Sequence, residues 1–234
     1  MRETIPAETP TLEPIEHTDL SEKVYRLLQE KIFAREFSPG AKLDLDALAA
    51  ALHVSRTPLN NAMLRLSQDG LVRIEPRRGT FITELTAREI GEWYDVRQAL
   101  DMLAAELGIR LMDDAGLRQA GEIFERLAAL RHSIEVDYLE HVRLDREFHL
   151  KLVEFAHNRK LWEIYEGLHT DVINARLYYH GRLRDRAEVD KEHEAIFTAY
   201  RARDLAAAKV ALSIANANAK QTAIQRIEEL GGAV

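Results

Sequence analysis

The sequence predicts a mainly α protein: an N-terminal winged helix-turn-helix of three helices and a β-hairpin, followed by an all-α antiparallel helical bundle. Three observations carry this. Residues 52–72 read as a turn, a short helix and a glycine stop; two short alternating runs then flank a Pro/Gly turn; and from Thr86 onward helical periodicity replaces any strand pattern.

The third helix anchors the first of these units. Thr57 is the expected N-cap and Pro58 the first helical residue, where a missing N–H costs nothing. Leu59, Ala62, Met63 and Leu66 then share one face, and Arg56, Asn60, Asn61 and Arg65 lie opposite as donors to solvent. Gly70 is placed to end the helix in the left-handed conformation. A polar, cation-bearing helix backed by an apolar stripe suits the major groove of DNA.

The elements before it follow from caps and periodicity. Residues 1–18 hold three prolines and four glutamates with few large apolar side chains, which predicts a flexible arm. Asp19 and Glu22 make a capping-box-like start to a first helix with Val24, Leu27, Leu28 and Ile32 inward, ending near Phe37. Asp44 caps a second helix whose Leu45, Leu48, Ala49 and Leu52 face inward, and His53-Val54-Ser55 turns into the third.

Leu71–Glu75 and Thr80–Thr83 are the strands of a hairpin closed by Pro76-Arg77-Arg78-Gly79. This wing puts Arg77 and Arg78 at its tip, suited to a phosphate or minor-groove contact, with Gly79 allowing close main-chain approach. These features set a DNA-binding unit at residues 19–84 and a helical unit at 85–231. In the latter, Thr86 with Glu89 is a capping box for a helix with Ile90, Trp93, Arg97, Leu100, Ala104, Leu107 and Leu111 on its stripe. Further helices are expected at about 114–131, 134–156, 160–182, 187–201 and 204–229, with short connections that imply an antiparallel bundle.

Composition bounds the function. The 234 residues are 46% hydrophobic, enough for a proper core, and the absence of cysteine excludes disulfides, thiolate zinc sites and thiol catalysis. Nothing resembles a signal peptide or a membrane span, so a soluble cytoplasmic protein with no membrane partner is expected. The net charge of −7 divides unevenly, with ten Lys/Arg against eight Asp/Glu over 19–83 and 21 against 27 over 84–234. A basic module on an acidic domain is the balance of a DNA-contacting unit carried by a larger partner-binding one.

The segment from Pro39 to Ile82 resembles the DNA-binding domain of the GntR family of bacterial transcription regulators. The landmarks are Pro39-Gly40, Leu48-Ala49, Ser55-Arg56-Thr57-Pro58, Leu64-Arg65-Leu66, Gly70-Leu71-Val72 and Gly79. The helical remainder resembles the FCD effector domain of the FadR-like subgroup, through Arg97-Gln98-Ala99-Leu100-Asp101, Asp145-Arg146-Glu147-Phe148-His149, Asn158 before Leu161, and Glu192-His193-Glu194-Ala195-Ile196. The resemblance implies a homodimer on a pseudo-palindromic double-stranded operator, read by Ser55, Arg56, Thr57, Asn60, Asn61 and Arg65 with the wing residues Arg77, Arg78 and Gly79. Arg56 matches the family's base-contacting arginine. Where the family carries Val/Leu-Arg-Glu after the proline, this chain has Leu59-Asn60-Asn61, which predicts an altered operator because asparagine favours the adenine edge.

The resemblance also implies a divalent metal (Zn, Ni or Mn) held by Asp145, His149 and His193, with the family's fourth position falling on Ala215, which cannot ligate. Asn218, one turn on, is the expected polar substitute, and Arg97 the expected partner of a small carboxylate effector. A salt bridge from Arg97 to Asp101 is the alternative role. Repression relieved by that effector is the expected behaviour. Two other classes remain at this level: a metal-dependent hydrolase, disfavoured because no general base stands out, and a sequence-tolerant architectural DNA binder.

Overall fold

The computed structural model describes residues 20–130, 138–178 and 186–234. The expected arm 1–18 and the capping role of Asp19 lie outside the described residues, as do the adjoining ends of the helices expected over 114–131 and 134–156 and the end of that over 160–182. The element order is α1 Leu20–Phe33, β1 Lys42–Leu43, α2 Leu45–Ala51, α3 Arg56–Gln68, β2 Val72–Glu75, β3 Gly79–Ile82, α4 Ala87–Gly108, α5 Asp114–Ala129, α6 Tyr138–Glu154, α7 Arg159–Glu166, α8 Thr170–Tyr178, α9 Arg186–Arg201 and α10 Leu205–Glu229.

The N-terminal unit is three helices and a three-stranded antiparallel sheet in the order β1-β3-β2. Its core joins Val24, Leu28 and Ile32 of α1 to Leu59, Ala62, Met63 and Leu66 of α3 and to Leu71, Val72 and Ile82 of the wing. The apolar spacing dictates this arrangement, since each set occupies one helical face or alternate strand positions. β1 was not expected: two residues are too short to show alternation, yet Lys42 pairs with Phe81 and Leu43 with Thr80. Gly79 is required by its φ of +119, whereas the Lys42 side-chain end that a Cβ would meet at 2.7 Å could swing aside.

Several boundaries correct the expectations. α1 stops at Phe33 because Arg35 takes φ +55 and the Glu36 amide donates back to Lys31 O at 3.0 Å, closing the helix as a Schellman turn; Phe37 then packs on the core from the loop. Ser55, not Thr57, is the N-cap residue of α3, with extended backbone and no side-chain capping bond, so Pro58 sits inside the first turn, where no intrahelical donor is needed. The caps at Asp44, Gly70 and the Thr86–Glu89 box form as expected.

α4 and α10 run side by side, α9 packs on α10, and α6 lies between α4, α5 and α8. The expected helix over 160–182 is instead two, because α7 ends at Gly167 and His169 takes φ +48 before α8 begins. This break frees α8 to lie against the N-terminal unit, where Val172 and Ala175 join its core. Leu107 and Leu111 are exposed rather than on the buried stripe of α4. No described helix is long and apolar enough to cross a membrane.

Candidate nucleic-acid interface and effector site

On α3 the apolar stripe faces the core and leaves Arg56, Thr57, Asn60, Asn61 and Leu64 exposed, with Ser55 exposed just before the helix. The Arg56 guanidinium pairs with the Asp46 carboxylate in the first turn of α2, both groups largely in solvent. Arg65 departs from the expectation of a free donor. It ion-pairs with Glu22 of α1 and its guanidinium lies 4.2 Å from the centre of the Tyr25 ring, while the Tyr25 hydroxyl donates to Asp69 Oδ2 at 2.5 Å. Arg65 therefore braces α1 against α3, a role that the expectation of a reading residue did not include.

The wing tip is a turn in which the Arg78 amide donates to Glu75 O at 3.1 Å and Arg77 takes φ +63. A left-handed conformation is uncommon for a residue other than glycine and carries some strain, which can gather where a side chain must be aimed. Arg78 ion-pairs with Glu75 at 2.5 Å, whereas Arg77 is exposed with no ion-pair partner among the described residues. Arg77 and Arg78 thus stand together at the tip, beside Gly79 with its φ of +119.

The bundle brings together Arg97 and Asp101 of α4, Asp145 and His149 of α6, Tyr165 of α7 and His193 of α9. Asp145 and His149 are one turn apart, and both face His193: the candidate ligand atoms of the three residues lie within 4.8 Å of one another. Phe148 walls the site, its ring centre 5.5 Å from that of His149 and 5.3 Å from that of His193.

Hydrogen bonding within the cluster calls for a positive charge, either a proton on His193 Nε2 or a bound metal ion. His193 Nδ1 lies 3.0 Å from Val189 O, an acceptor only, so Nδ1 carries the hydrogen. A neutral ring then presents the Nε2 lone pair to Asp145 Oδ1 at 3.0 Å, so that two acceptors face each other unless a positive charge stands between them. His149 Nδ1 is buried with no hydrogen-bond partner. An imidazole pair and a carboxylate, one backed by a main-chain carbonyl and one with an orphaned nitrogen, fit a divalent ion such as Zn, Ni or Mn.

The charges are tuned accordingly. Burial alone would raise the Asp145 carboxyl, but the positive charge that its contact with His193 calls for and the nearby Arg97 cation hold it well below the usual carboxylate range. Burial, then the nearby Arg97 cation, push His149 well below the ordinary imidazole value, with Asp145 opposing, so it is neutral and competent as a ligand.

Arg97 is buried and engaged. Its Nε donates to the Tyr165 hydroxyl at 3.4 Å and lies 3.6 Å from Asp101 Oδ2, and the Tyr165 hydroxyl donates to Asp101 Oδ1 at 2.8 Å. Burial pushes Asp101 up to about 6 against the pull of Arg97 and Tyr165. Tyr165 was missed by periodicity, which reads it as core; the signal was a hydroxyl-bearing ring on the face that must meet a buried arginine.

On α10 the residues facing inward are Ala208, Leu212, Asn216, Ala223 and Ile227. Ala215 packs against the core cluster that includes Phe148, and the Asn216 amide donates to Tyr94 O at 3.1 Å. Asn218 is corrected: it is exposed, with its amide on Glu192 Oε1 at 2.7 Å, two residues round the helix from the inward face.

Residues 20–82 match the family described as bacterial regulatory proteins, gntR family, and residues 92–214 match the FCD domain. The HTH-type transcriptional regulator YdhC of Bacillus subtilis is 33% identical over 79% of this chain and 82% of its own length. The HTH-type transcriptional repressor RspR of Escherichia coli is 25% identical over 79% of this chain and 80% of its own length. Among solved structures, Escherichia coli McbR/YncC shares the fold with a TM-score of 0.67 at 22% identity, covering 88% of this chain and 98% of that one.

Proposed function

The chain belongs to the GntR family of DNA-binding transcription regulators and carries an FCD domain, and from that premise we propose that it is a cytoplasmic repressor whose grip on its operator is set by a small carboxylate metabolite. It is a regulator and not an enzyme. The DNA-binding unit spans residues 19–84 and the effector and dimerisation unit 85–231. Two copies bind the half-sites of a pseudo-palindrome, since a two-fold protein matches a two-fold operator. Unpartnered apolar side chains on the adjacent helices α4 (Val96, Leu103 and Leu107) and α10 (Val210 and Ile214) support self-association.

Ser55, Arg56, Thr57, Asn60 and Asn61 read the groove, while Arg77 and Arg78 of the wing neutralise phosphates, with Gly79 bringing the main chain near. In the bundle, Asp145, His149 and His193 would hold a divalent metal, which when bound would supply a Lewis-acidic anchor for an acid. Arg97 is the second anchor, and an incoming acid competes with Asp101 for it. The observation that carries the effector assignment is the buried cluster in which Asp145 and His193 face each other as acceptors beside an orphaned His149 nitrogen.

The test is a duplex selected from a random pool, titrated with protein at fixed salt in the presence of a panel of small mono- and dicarboxylates. At least one acid should weaken operator binding by about 5-fold or more, the usual scale of allosteric coupling, and Arg97→Met should abolish that response. Selection that yields no preferred sequence, with random duplex bound within about tenfold of the selected one, would instead establish the architectural reading.

A further inference from the structure

The residues after α10 return to the connector between β3 and α4. The Leu85 amide donates to Val234 O at 2.8 Å and the Val234 amide to Leu85 O at 3.2 Å, with Thr86 and Ala233 bridged antiparallel. Val234 is itself buried with Ile90, Tyr94, Leu177 and Ile227. Two arginines grip this segment from opposite sides. Arg35, at the end of α1 in the DNA-binding unit, donates to Leu230 O at 3.3 Å and Ala233 O at 3.2 Å. Arg176, on α8 of the helical unit, donates to Val234 O at 2.5 Å.

Arg176 also reaches into the DNA-binding unit. Its Nη2 donates to Thr83 O at 2.7 Å and its Nη1 to Thr83 Oγ1 at 2.8 Å, and that hydroxyl donates in turn to Gly70 O at 2.6 Å. Gly70 is the residue that ends α3. A line of hydrogen bonds therefore runs from α8 to the C-terminal end of the reading helix. Arg176 is buried, its donors meeting the Thr83 hydroxyl, Thr83 O and Val234 O at 2.5–2.8 Å, and the charge of Glu89 acts on it as well. A buried guanidinium is tolerated only where each donor is well placed, so these bonds define the position of α8 against the connector. Its neighbours Val172 and Ala175 lie in the core of the DNA-binding unit while Leu177 lies in that of the bundle, so α8 belongs to both.

We infer that Arg176 is a positioning residue: together with the 230–234 segment it fixes the angle at which the DNA-binding unit is carried on the bundle, and so the separation of the two reading helices. This rests on the reading of the protein as a dimer on two half-sites. A rigid joint makes simultaneous engagement possible at one half-site spacing, because the second contact gains its effective concentration only when the geometry spans the sites. Loosening the joint relaxes the spacing requirement and leaves the sequence read by each half-site unchanged.

Two measurements test this on the full-length chain, with Arg176→Gln, Arg176→Lys and, as a variant that cuts the same segment from the other side, Arg35→Gln. The first is amide hydrogen exchange without DNA. Leu85 and Val234 should lose protection in Arg176→Gln while mid-helix amides of α3 and α10 keep theirs; retained protection at both residues overturns the inference. The second is affinity for selected half-sites placed at spacings one and two base pairs shorter or longer than the preferred one. Wild type should favour its spacing by about tenfold or more and Arg176→Gln by no more than about threefold, with single half-site affinity equal and Arg176→Lys between them. Uniform loss at every spacing and at the single half-site marks a merely structural arginine and overturns the inference. Should Arg176→Gln fail to fold, Arg35→Gln decides by the same two readings. If exchange responds as expected but wild type shows no spacing preference, the failure lies with the two-half-site reading and not with the joint.

Discussion

The reading face of α3 and the buried cluster of the bundle hold their charges in opposite ways. Arg56 and Arg78 each rest on a single acid at the surface, Asp46 and Glu75 respectively. Arg97, Asp101, Tyr165, Asp145, His149 and His193 are interlocked away from water. An exposed pair contributes little and is easily exchanged for a phosphate or a base edge. A buried network is preorganised, so a ligand entering it must replace a partner already in place. The reading face can therefore exchange its partners with little internal rearrangement, whereas on the proposed function an acid entering the bundle must displace a partner already bonded there.

The largest effects should come from breaking the buried network. Asp101→Ala leaves Arg97 without its carboxylate and should cost about 3–5 kcal/mol in urea unfolding. The same carboxyl gives a pH signature. Its folded value, about 6, lies above that of an unfolded aspartate, so the folded state binds the extra proton. Its contribution is complete at low pH and is lost as pH rises toward 6. Asp101→Asn, which cannot ionise, should remove that fall in stability, and an unchanged pH profile would show that Asp101 is not held up by burial.

Tyr165→Phe should cost less, about 1–3 kcal/mol, because one buried hydroxyl leaves both Arg97 and Asp101 short of a partner. At the surface the comparison predicts small numbers. Arg65→Ala should change stability by about 1 kcal/mol or less, as an exposed brace, and leave the base preference of the half-site untouched. Asp46→Ala should be near neutral for stability and raise DNA affinity, since it removes an acid beside Arg56 and close to the incoming phosphates. A loss of affinity there would mean that Asp46 orients Arg56 on its base.

What was legible in the sequence was local. Asp44, the Thr86–Glu89 box and Gly70 announce their helix ends because the capping chemistry is carried by adjacent residues. Ser55 and Thr57 are both oxygen side chains beside a helix start, and only the backbone distinguishes which is the cap. Apolar spacing runs unbroken from Leu161 through Tyr165, Leu168 and Val172, so it hides the break at Gly167–His169 that lets α8 cross to the other unit.

The site divides the same way. The i, i+4 spacing brings Asp145 and His149 to one side of α6, and His193 joins them from α9. The partners that decide roles are distant in sequence: Glu22 pairs with Arg65 across 43 residues, and Tyr165 meets Arg97 across 68. The helical wheel of α10 can be drawn from the sequence, but which arc faces inward follows from α4 and α9. That arc is centred on Leu212 and Asn216, leaving Asn218 outside.

The most direct test is the metal content per chain of protein purified without chelator or metal affinity resin, compared between wild type and His149→Ala. About one divalent ion per wild-type chain, absent from the variant, is the predicted result for a site of this ligand set. Wild-type protein that carries no ion, and takes none up on incubation with Zn, Ni or Mn, would contradict the account and leave the facing acceptors of Asp145 and His193 to be reconciled by a proton alone.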